Sequence, residues 1–380
     1  MDGLGNARPT VLLSAHWSYI MLHIDAKLSS SFSRPSGCSL CLSLHMSTKY
    51  RLDSLLETVV LRGCIITMSG KGKADRRNAR SFPLEKEYAR TIAALNRTGI
   101  LTLLPRSESL GVIGIDGKEY PVPTQEQLQE VLTRNKELVD RKMRQGFTQL
   151  QLTPIAMPTP QLIDRVKTAV LRHAAAGKII QTKQNSTDAD TPVRVKTGEP
   201  IWIWDILRQT VDTPNLVYFP QVYTKRDHQG LTKEEVMQKT SLCAVPGWSV
   251  GLIEPIPIMP QQGQGKVIGG RKQLEALSTP RDYLRTLSTP TYQGETGWTP
   301  EDFLTHFVTQ LETTNQVSHD RYDNDALWLL GSYMPNSVPY AELVPTGYWA
   351  RPTGRMYLSA HRTGNRFKLC VARSTVRLGT

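Results

Sequence analysis

The chain has 380 residues, of which 39% are hydrophobic and 21% are charged. These fractions exclude a fibrous or globally disordered protein, and the length favours two folded units joined by a linker. The formal net charge of +12 suits a polyanionic partner such as nucleic acid. A merely basic soluble protein is the alternative, because the basic clusters at 71–80 and near the C-terminus are not dense.

Residues 1–79 differ in composition from the rest of the chain. Ser, Leu and Cys are common there and no helical period persists, so we expect 1–79 to be a disordered or non-core extension. The apolar run at 11–24 is too short to span a membrane, and it lacks the features of a secretory signal. We therefore predict no membrane span.

The cysteines are scattered along the chain, at Cys38, Cys41, Cys64, Cys243 and Cys370. Their spacing does not fit a disulfide framework, and the single CxxC motif has no second pair to complete a zinc site. Unpaired thiols indicate a reducing compartment, so we expect a cytoplasmic protein.

The segment 80–180 is predicted to form a small helical unit with a β-hairpin. PLEKEYARTIAALNRTG has apolar residues at helical spacing, and Gly99 is predicted to end that helix. LGVIGIDGKEYPVP predicts a hairpin, with a tight type I′ turn at Asp116 and Gly117.

Two further helices are predicted before a polar linker. Thr124 has the sequence context of an N-cap, and the helix that follows it is predicted to run to Gly146. Thr159 and the proline after it begin another helix, which is predicted to end at Gly177. The turn-rich segment 181–200 is predicted to be a linker.

The segment 201–380 is predicted to be an α+β unit that is rich in loops. Short strands are predicted in IWIWDIL, LVYFPQVYT and WSVGLIEPIPIMP. Short helices with N-cap signatures are predicted after Thr232, after Ser278 or Thr279, and after Thr299. Trp298 and Trp328 are predicted to lie in the core.

Two stretches have the composition of ligand sites. GQGKVIGGRK at 263–272 is glycine-rich and basic like a phosphate-binding loop, but its spacing is not that of a Walker motif, so a tight turn is favoured. Asp320, Asp323 and Asp325 offer carboxylates to Ca²⁺, but they lack the EF-hand order, so a solvated acidic loop is favoured. Beyond this calcium alternative we predict no cofactor.

The last residues alternate in the manner of β-strands. In MYLSAH, Met356 and Leu358 share one face of the strand, whereas Tyr357 and Ser359 share the other. FKLCVA is predicted to be a central strand, and ARSTVRL to close the fold. A disordered nucleic-acid-binding tail would not need this apolar regularity.

The order LLGSY, VPxxYWxR, RxYLxA, a GNR turn and ARSTVRL resembles the end of a C-type-lectin-like domain. That domain is shared by formylglycine-generating enzymes and by the variable proteins of diversity-generating retroelements. The resemblance is carried by Trp349, Arg351, Arg355, Leu358, Asn365, Arg366, Ala372, Arg373, Val376 and Arg377. It implies a C-type-lectin-like domain at 201–380, in which closing strands form a scaffold and display variable side chains.

The same resemblance implies a set of ligand-binding residues for a protein or small-molecule partner. They are Tyr348, Trp349, Arg351, Thr353, Arg355, Tyr357, Ser359, His361, Arg362, Asn365, Phe367 and Lys368, with Ala350 beside them. Two alternatives stay open. A formylglycine-generating oxidoreductase would need Cys243 and Cys370 to meet, and a nucleic-acid-binding protein would need the basic residues of 71–80 and 351–377 to form one face.

Overall fold

The computed structural model describes residues 82–180, 192–239, 242–256, 258–319, 326–336, 342–368 and 370–379, together with four short strands nearer the N-terminus. The chain divides into two compact units, Met1–Asn78 and Ala79–Thr380. The first contains two antiparallel hairpins, made by β1 (Val11–Ala15) with β2 (Ser18–Leu22) and β3 (Glu57–Leu61) with β4 (Cys64–Met68). The rest of the predicted extension 1–79 lies outside the described residues.

The second unit mixes helices and small sheets, so the predicted α+β class is confirmed. Its helices are α1 (Leu84–Arg97), α2 (Gln125–Arg134), α3 (Lys136–Arg144), α4 (Thr159–Ala175), α5 (Asp205–Thr210), α6 (Lys233–Gln238), α7 (Pro280–Leu287) and α8 (Pro300–Thr314), with a 3-10 turn at Pro290–Tyr292. In α2, α6, α7 and α8 a threonine N-cap exchanges hydrogen bonds with the third helical residue, as the sequence predicts.

The strands of this unit are short and form several sheets. They are β5 (Thr102–Leu103), β6 (Leu110–Ile113), β7 (Glu119–Pro121), β8 (Gln149–Thr153), β9 (Ile201–Ile203), β10 (Val217–Tyr218), β11 (Ser249–Ile253), β12 (Val267–Ile268), β13 (Arg271–Lys272), β14 (Glu295–Gly297), β15 (Ala326–Trp328), β16 (Ser332–Tyr333), β17 (Leu343–Ala350), β18 (Arg355–Arg362), β19 (Cys370–Ala372) and β20 (Ser374–Arg377).

The predicted segments 80–180 and 201–380 contribute to one sheet. Its strand order is β14-β20-β11-β8, and every neighbouring pair is antiparallel. β8 comes from the first segment, and it pairs along its whole length with β11 from the second. The two segments therefore share one compact unit, whereas 181–191 of the predicted linker lie outside the described residues.

A five-stranded sheet carries most of the closing segment, in the order β19-β15-β17-β18-β9. One face of it packs against α8. Gly347 is required there, because a Cβ atom would lie 2.7 Å from the Phe303 ring, and Trp349 stacks on Phe307 with ring centroids 6.0 Å apart. Trp298 and Trp328 are both fully buried, as predicted.

Three local predictions differ from the structure. The 110–121 hairpin is present, but its register pairs Ile113 with Glu119, so the connection is longer than a two-residue turn. Asp116 accepts a hydrogen bond from the Lys118 amide there, and Gly117 alone takes a positive φ of 72°. The favoured side-chain turn at Asp116 replaces the type I′ geometry.

The helix predicted from Thr124 to Gly146 is divided in two at Asn135. The Asn135 amide donates to the carbonyls of Val131 and Gly379, so it links this break to the last strand region. FKLCVA was predicted to be central, but β19 is an edge strand of the five-stranded sheet. It is still buried, and this explains why its apolar sequence resembles that of a central strand.

The glycine-rich stretch 263–272 forms a tight hairpin rather than an open phosphate loop. Gly269 and Gly270 both have positive φ and connect β12 to β13, as a type I′ turn requires. Arg271 is fully buried, and its guanidinium binds Glu295 at 2.8 Å and Glu254 at 3.2 Å. Lys142 binds the same Glu295 carboxylate at 2.6 Å, so these internal charges are compensated.

The two arginines of ARSTVRL are buried and bound within the protein. Arg377 makes an ion pair with Asp302 of α8, and its Nε donates to Thr296 at 2.8 Å. Arg373 lies over the Trp298 ring, 5.4 Å from its centroid, and donates to the carbonyls of Glu254 and Ile256. Both side chains attach the closing strand to the core.

Candidate functional site

The open face of the five-stranded sheet contains a groove of about 380 Å³. Strand alternation decides which side chains reach it, because successive residues of β17 and β18 point to opposite faces. The described residues that line it are Trp202, Ala326, Thr346, Tyr348, Tyr357, Ser359, His361, Phe367, Lys368 and Cys370. The groove therefore lies opposite the face that packs on α8.

One wall of the groove is a row of three aromatic rings. Tyr348 and Tyr357 are cross-strand partners, and their rings stack with centroids 5.3 Å apart and planes 5° from parallel. Trp202 lies beside Tyr357 through the parallel pairing of β9 with β18, at a centroid distance of 5.2 Å. Such a row presents a broad, rigid aromatic surface at little conformational cost.

The other wall is built around Phe367. Its ring stacks on Trp328 at 5.6 Å, and His361 approaches the edge of Phe367 at 4.9 Å. Trp328 is fully buried, whereas His361 and Phe367 are half-buried and Lys368 is exposed. A basic residue therefore stands at the rim of an aromatic groove.

The floor between the walls consists of small side chains. Thr346 and Ser359 are direct cross-strand partners of β17 and β18, and Ala326 and Cys370 lie on the two strands beyond them. The Thr346 hydroxyl is buried and has no hydrogen-bond partner within the described part of the chain. A buried polar group without a partner is unusual, because its desolvation is not compensated.

Arg355 does not line the groove, but it contacts Tyr357 in the row of three aromatic rings. The Nε atom of Arg355 donates to the Tyr357 hydroxyl at 2.9 Å, and the Arg355 guanidinium also forms an ion pair with Glu199. Burial raises the pKa of the Tyr357 phenol, but hydrogen bonds with Thr353 and Arg355 and the charge of Arg355 outweigh it, so the pKa is below its ordinary value.

Half of the predicted ligand-binding residues meet in this groove. They are Tyr348, Tyr357, Ser359, His361, Phe367 and Lys368. Arg351, Thr353 and Arg355 lie at the β17–β18 turn, whereas Arg362 and Asn365 lie at the opposite end of β18. Ala350 is buried.

Trp349 does not face the groove. It is fully buried, and the alternation of β17 directs its ring towards α8 rather than towards the face that bears Tyr348. Trp349 therefore belongs to the packed face of the sheet and not to an exposed binding surface.

The sequence did not point to Trp202, Ala326 or Thr346 as parts of a site, and Cys370 was considered only for the enzyme alternative. Thr346 stands two residues before Tyr348, so period-two alternation could have found it. Trp202 reaches the groove through a parallel strand pairing that joins positions far apart in the sequence. No local pattern encodes such a pairing.

The two cysteines of the enzyme alternative lie in different surroundings. Both are buried and neither forms a disulfide. Cys370 belongs to the groove floor, whereas Cys243 lies within electrostatic range of Asp302 and Arg377. Burial raises the pKa of the Cys243 thiol to about 12, so this thiol stays protonated near neutral pH.

The basic face of the nucleic-acid alternative is interrupted. Arg373 and Arg377 are buried, so they do not belong to an exposed surface. Residues 71–80 lie outside the described residues, as do Asp320, Asp323 and Asp325 of the calcium alternative. Among the residues that are described, no group of three or more His, Cys, Asp or Glu side chains is placed to hold a metal ion.

The chain was compared with known protein families, with curated proteins and with solved structures, and none of the three comparisons finds a match. The described helices include none with the length and apolar character needed to cross a membrane.

Proposed function

We propose that this chain is a ligand-binding protein, whose C-terminal sheet displays aromatic and basic side chains on a C-type-lectin-like scaffold. The observation that carries the proposal is the groove of about 380 Å³, in which six residues implied by the resemblance come together. Ligand sites in proteins are typically concave, mostly apolar and of this size, with a few convergent polar groups.

The alternation of buried and accessible side chains along β18 supports a role in displaying side chains to a ligand. Met356, Leu358 and Ala360 are buried on the scaffold face, whereas Tyr357 and Ser359 between them remain accessible. Exchanging the accessible side chains would leave the packed face unchanged. A scaffold of this type tolerates variation at the site with little loss of fold stability.

Diversification by a retroelement is part of this proposal. A reverse transcriptase gene should then lie near the gene for this chain, together with a near-repeat of the codons for 348–378 that differs at adenines. Sequencing the surrounding DNA tests this directly. A locus without such a repeat would contradict diversification but would leave the groove's ligand binding to be tested by itself.

The two alternatives receive less support. The Cys243 thiol has a raised pKa and surroundings different from those of Cys370, which does not favour a paired-cysteine oxidoreductase. The burial of Arg373 and Arg377 does not favour a continuous nucleic-acid-binding face. Binding to DNA or RNA that falls steeply with added salt would reverse this preference.

Ligand binding can be tested by filling the groove. Ser359→Trp places a large ring in the floor, whereas Lys167→Trp adds the same ring on an exposed face of α4 and serves as the control. The full chain and both variants would be applied to arrays of defined proteins, glycans and small molecules. Ligands retained by the wild type and the control but lost by Ser359→Trp support the proposal, whereas equal retention by all three proteins contradicts it.

A further inference from the structure

The polar atoms of the groove form a small set with a definite arrangement. Thr346 and Ser359 stand opposite each other on neighbouring antiparallel strands, where paired Cβ atoms lie about 5 Å apart. Within the described part of the chain, neither hydroxyl makes a side-chain hydrogen bond. Both residues line the groove, so their hydroxyls are polar groups of its floor, between the aromatic walls.

The rim of the groove has the opposite character from its floor. Lys368 is exposed and makes no ion pair with any residue that the structure describes. None of the described residues that line the groove is acidic. Next to Tyr357, Arg355 forms an ion pair with Glu199, and Lys196 pairs with the same carboxylate. The described charges around the groove are consequently more basic than acidic, which favours an anionic group at the rim.

The walls select for a flat ring. Tyr348, Tyr357 and Trp202 form one aromatic surface, and Phe367 with His361 forms the other, so a ligand between them is in contact with ring faces and edges. Aromatic groups gain more from such contacts than aliphatic groups of equal size. A quaternary ammonium group would also suit aromatic walls, but the cationic rim opposes it.

We propose that the groove binds a small aromatic acid: a planar ring between the aromatic walls, a hydrogen-bonding substituent against Thr346 and Ser359, and a carboxylate at Lys368. This inference rests on the proposed ligand-binding function and names the chemical class of its ligand. The volume suits a small molecule, whereas a stable protein partner would need roughly 800 Å² of surface from each side. An aromatic residue of an acidic peptide is the competing occupant.

Three matched probes separate the parts of this proposal. 4-Hydroxyphenylacetate has the ring, the hydroxyl and the acid; 4-hydroxyphenylacetamide lacks the charge; and trans-4-hydroxycyclohexylacetate keeps the hydroxyl and the acid but lacks the aromatic ring. Titration calorimetry on the full chain should give a dissociation constant on the order of 0.1 mM for the first probe, with each of the others about tenfold weaker. Equal affinity for the acid and the amide, or for the aromatic and aliphatic acids, would overturn it.

Substitutions then assign each contact. Thr346→Val keeps the shape of the side chain and should weaken 4-hydroxyphenylacetate binding about fivefold, because it removes one hydroxyl contact. It should also leave the melting temperature unchanged or higher, since a buried hydroxyl without a partner disappears. Thr375→Val removes another buried hydroxyl without a partner, in the four-stranded sheet, and should leave binding unchanged. Equal effects of the two substitutions on binding would contradict the assignment.

Lys368→Gln tests the rim. It should weaken binding of the acid about threefold and leave binding of the amide unchanged, because the interaction is electrostatic and exposed.

An acidic peptide with a central tyrosine, used as a fourth probe, decides between occupants. Tight binding of this peptide without binding of 4-hydroxyphenylacetate would overturn the small-molecule proposal while supporting ligand binding by the groove. If the arrays instead reveal a groove-dependent ligand that is neither aromatic nor acidic, the function stands and this inference fails.

Discussion

The two larger sheets of this protein differ in the kind of polar side chain that accompanies them. Around the four-stranded sheet, the buried cations Lys142, Arg271 and Arg377 each bind a carboxylate. On the open face of the five-stranded sheet, Thr346 and Ser359 have no side-chain partner among the described residues. Paired buried charges fix the fold, whereas hydroxyls left without partners beside a groove are the groups that a ligand can bind.

The same contrast recurs within one strand. Tyr348 and Trp349 are adjacent in β17, but Tyr348 lines the groove while Trp349 packs between the sheet and α8. A single step along the chain therefore separates a displayed side chain from a structural one.

Trp349→Ala is expected to have the largest effect. It should lower the free energy of unfolding by about 3–5 kcal/mol, because it leaves a cavity where the ring stacks on Phe307. Tyr348→Ala, at the next position, should cost about 1 kcal/mol or less and should instead weaken ligand binding. Urea denaturation of both variants checks this. Similar losses of stability would mean that the two faces of β17 do not differ as described.

Arg377→Met is expected to have the second largest effect, and it should lower the free energy of unfolding by about 3 kcal/mol. It leaves the buried Asp302 carboxylate without its ion-pair partner, and an unpaired buried charge is strongly destabilising. Arg285→Gln removes one member of an exposed pair with Asp282 and should change stability by about 0–1 kcal/mol. Thermal unfolding of the two variants measures the difference. A small effect of Arg377→Met would show that this arginine does not hold the closing strand.

Lowering the pH should destabilise the protein through two buried histidines, His306 and His319. Burial, and then the positive charge of Arg373, lower the pKa of both His306 and His319 well below the usual value. The unfolded chain binds protons below about pH 6.5 while the folded chain does not, so stability is complete above that pH and is lost as pH falls. The unfolding equilibrium should shift by up to about tenfold per pH unit for each histidine.

His306→Gln should reduce this pH dependence between pH 6.5 and 5. Denaturant titrations at several pH values provide the measurement, and the wild type and the variant serve as a matched pair. Identical slopes for the two proteins would show that His306 binds protons equally in the folded and the unfolded state, contrary to the effect of its burial.

Arg355→Gln is expected to have the smallest effect on stability, below about 1 kcal/mol, since the Arg355–Glu199 pair is partly exposed. It should raise the pKa of Tyr357, because both the hydrogen bond and the charge that lower it are removed. Ultraviolet titration of the phenols, with Tyr357→Phe to identify the signal, checks this shift. An unchanged titration would place the cause elsewhere.

The sequence predicts local features well where the physical cause is local. Threonine caps, Gly99 at the end of α1 and the alternation of β18 all follow from contacts within a few residues. The turn at Asp116 was misjudged because its side chain competes with the expected backbone geometry. The break at Asn135 depends on a hydrogen bond to Gly379, which no local pattern contains.

The site was predicted in part for the same reason. Tyr357, Ser359 and His361 follow from alternation along a single strand. The opposite wall and the floor depend on which strands become neighbours, and β19 looked central because its residues are buried although it lies at an edge. Apolar sequence indicates burial, but it does not give a strand's position in a sheet.

Trp202 stands on β9, far in sequence from the segment that supplies most of the groove. If the closing segment is the part that varies among copies of this protein, each copy inherits the same indole at one side of its site. The ligands bound by these copies would then tend to be flat molecules. The flat indole surface is present in every copy, whatever the variable positions contribute. Trp202 would act as the constant member of an otherwise changing recognition surface.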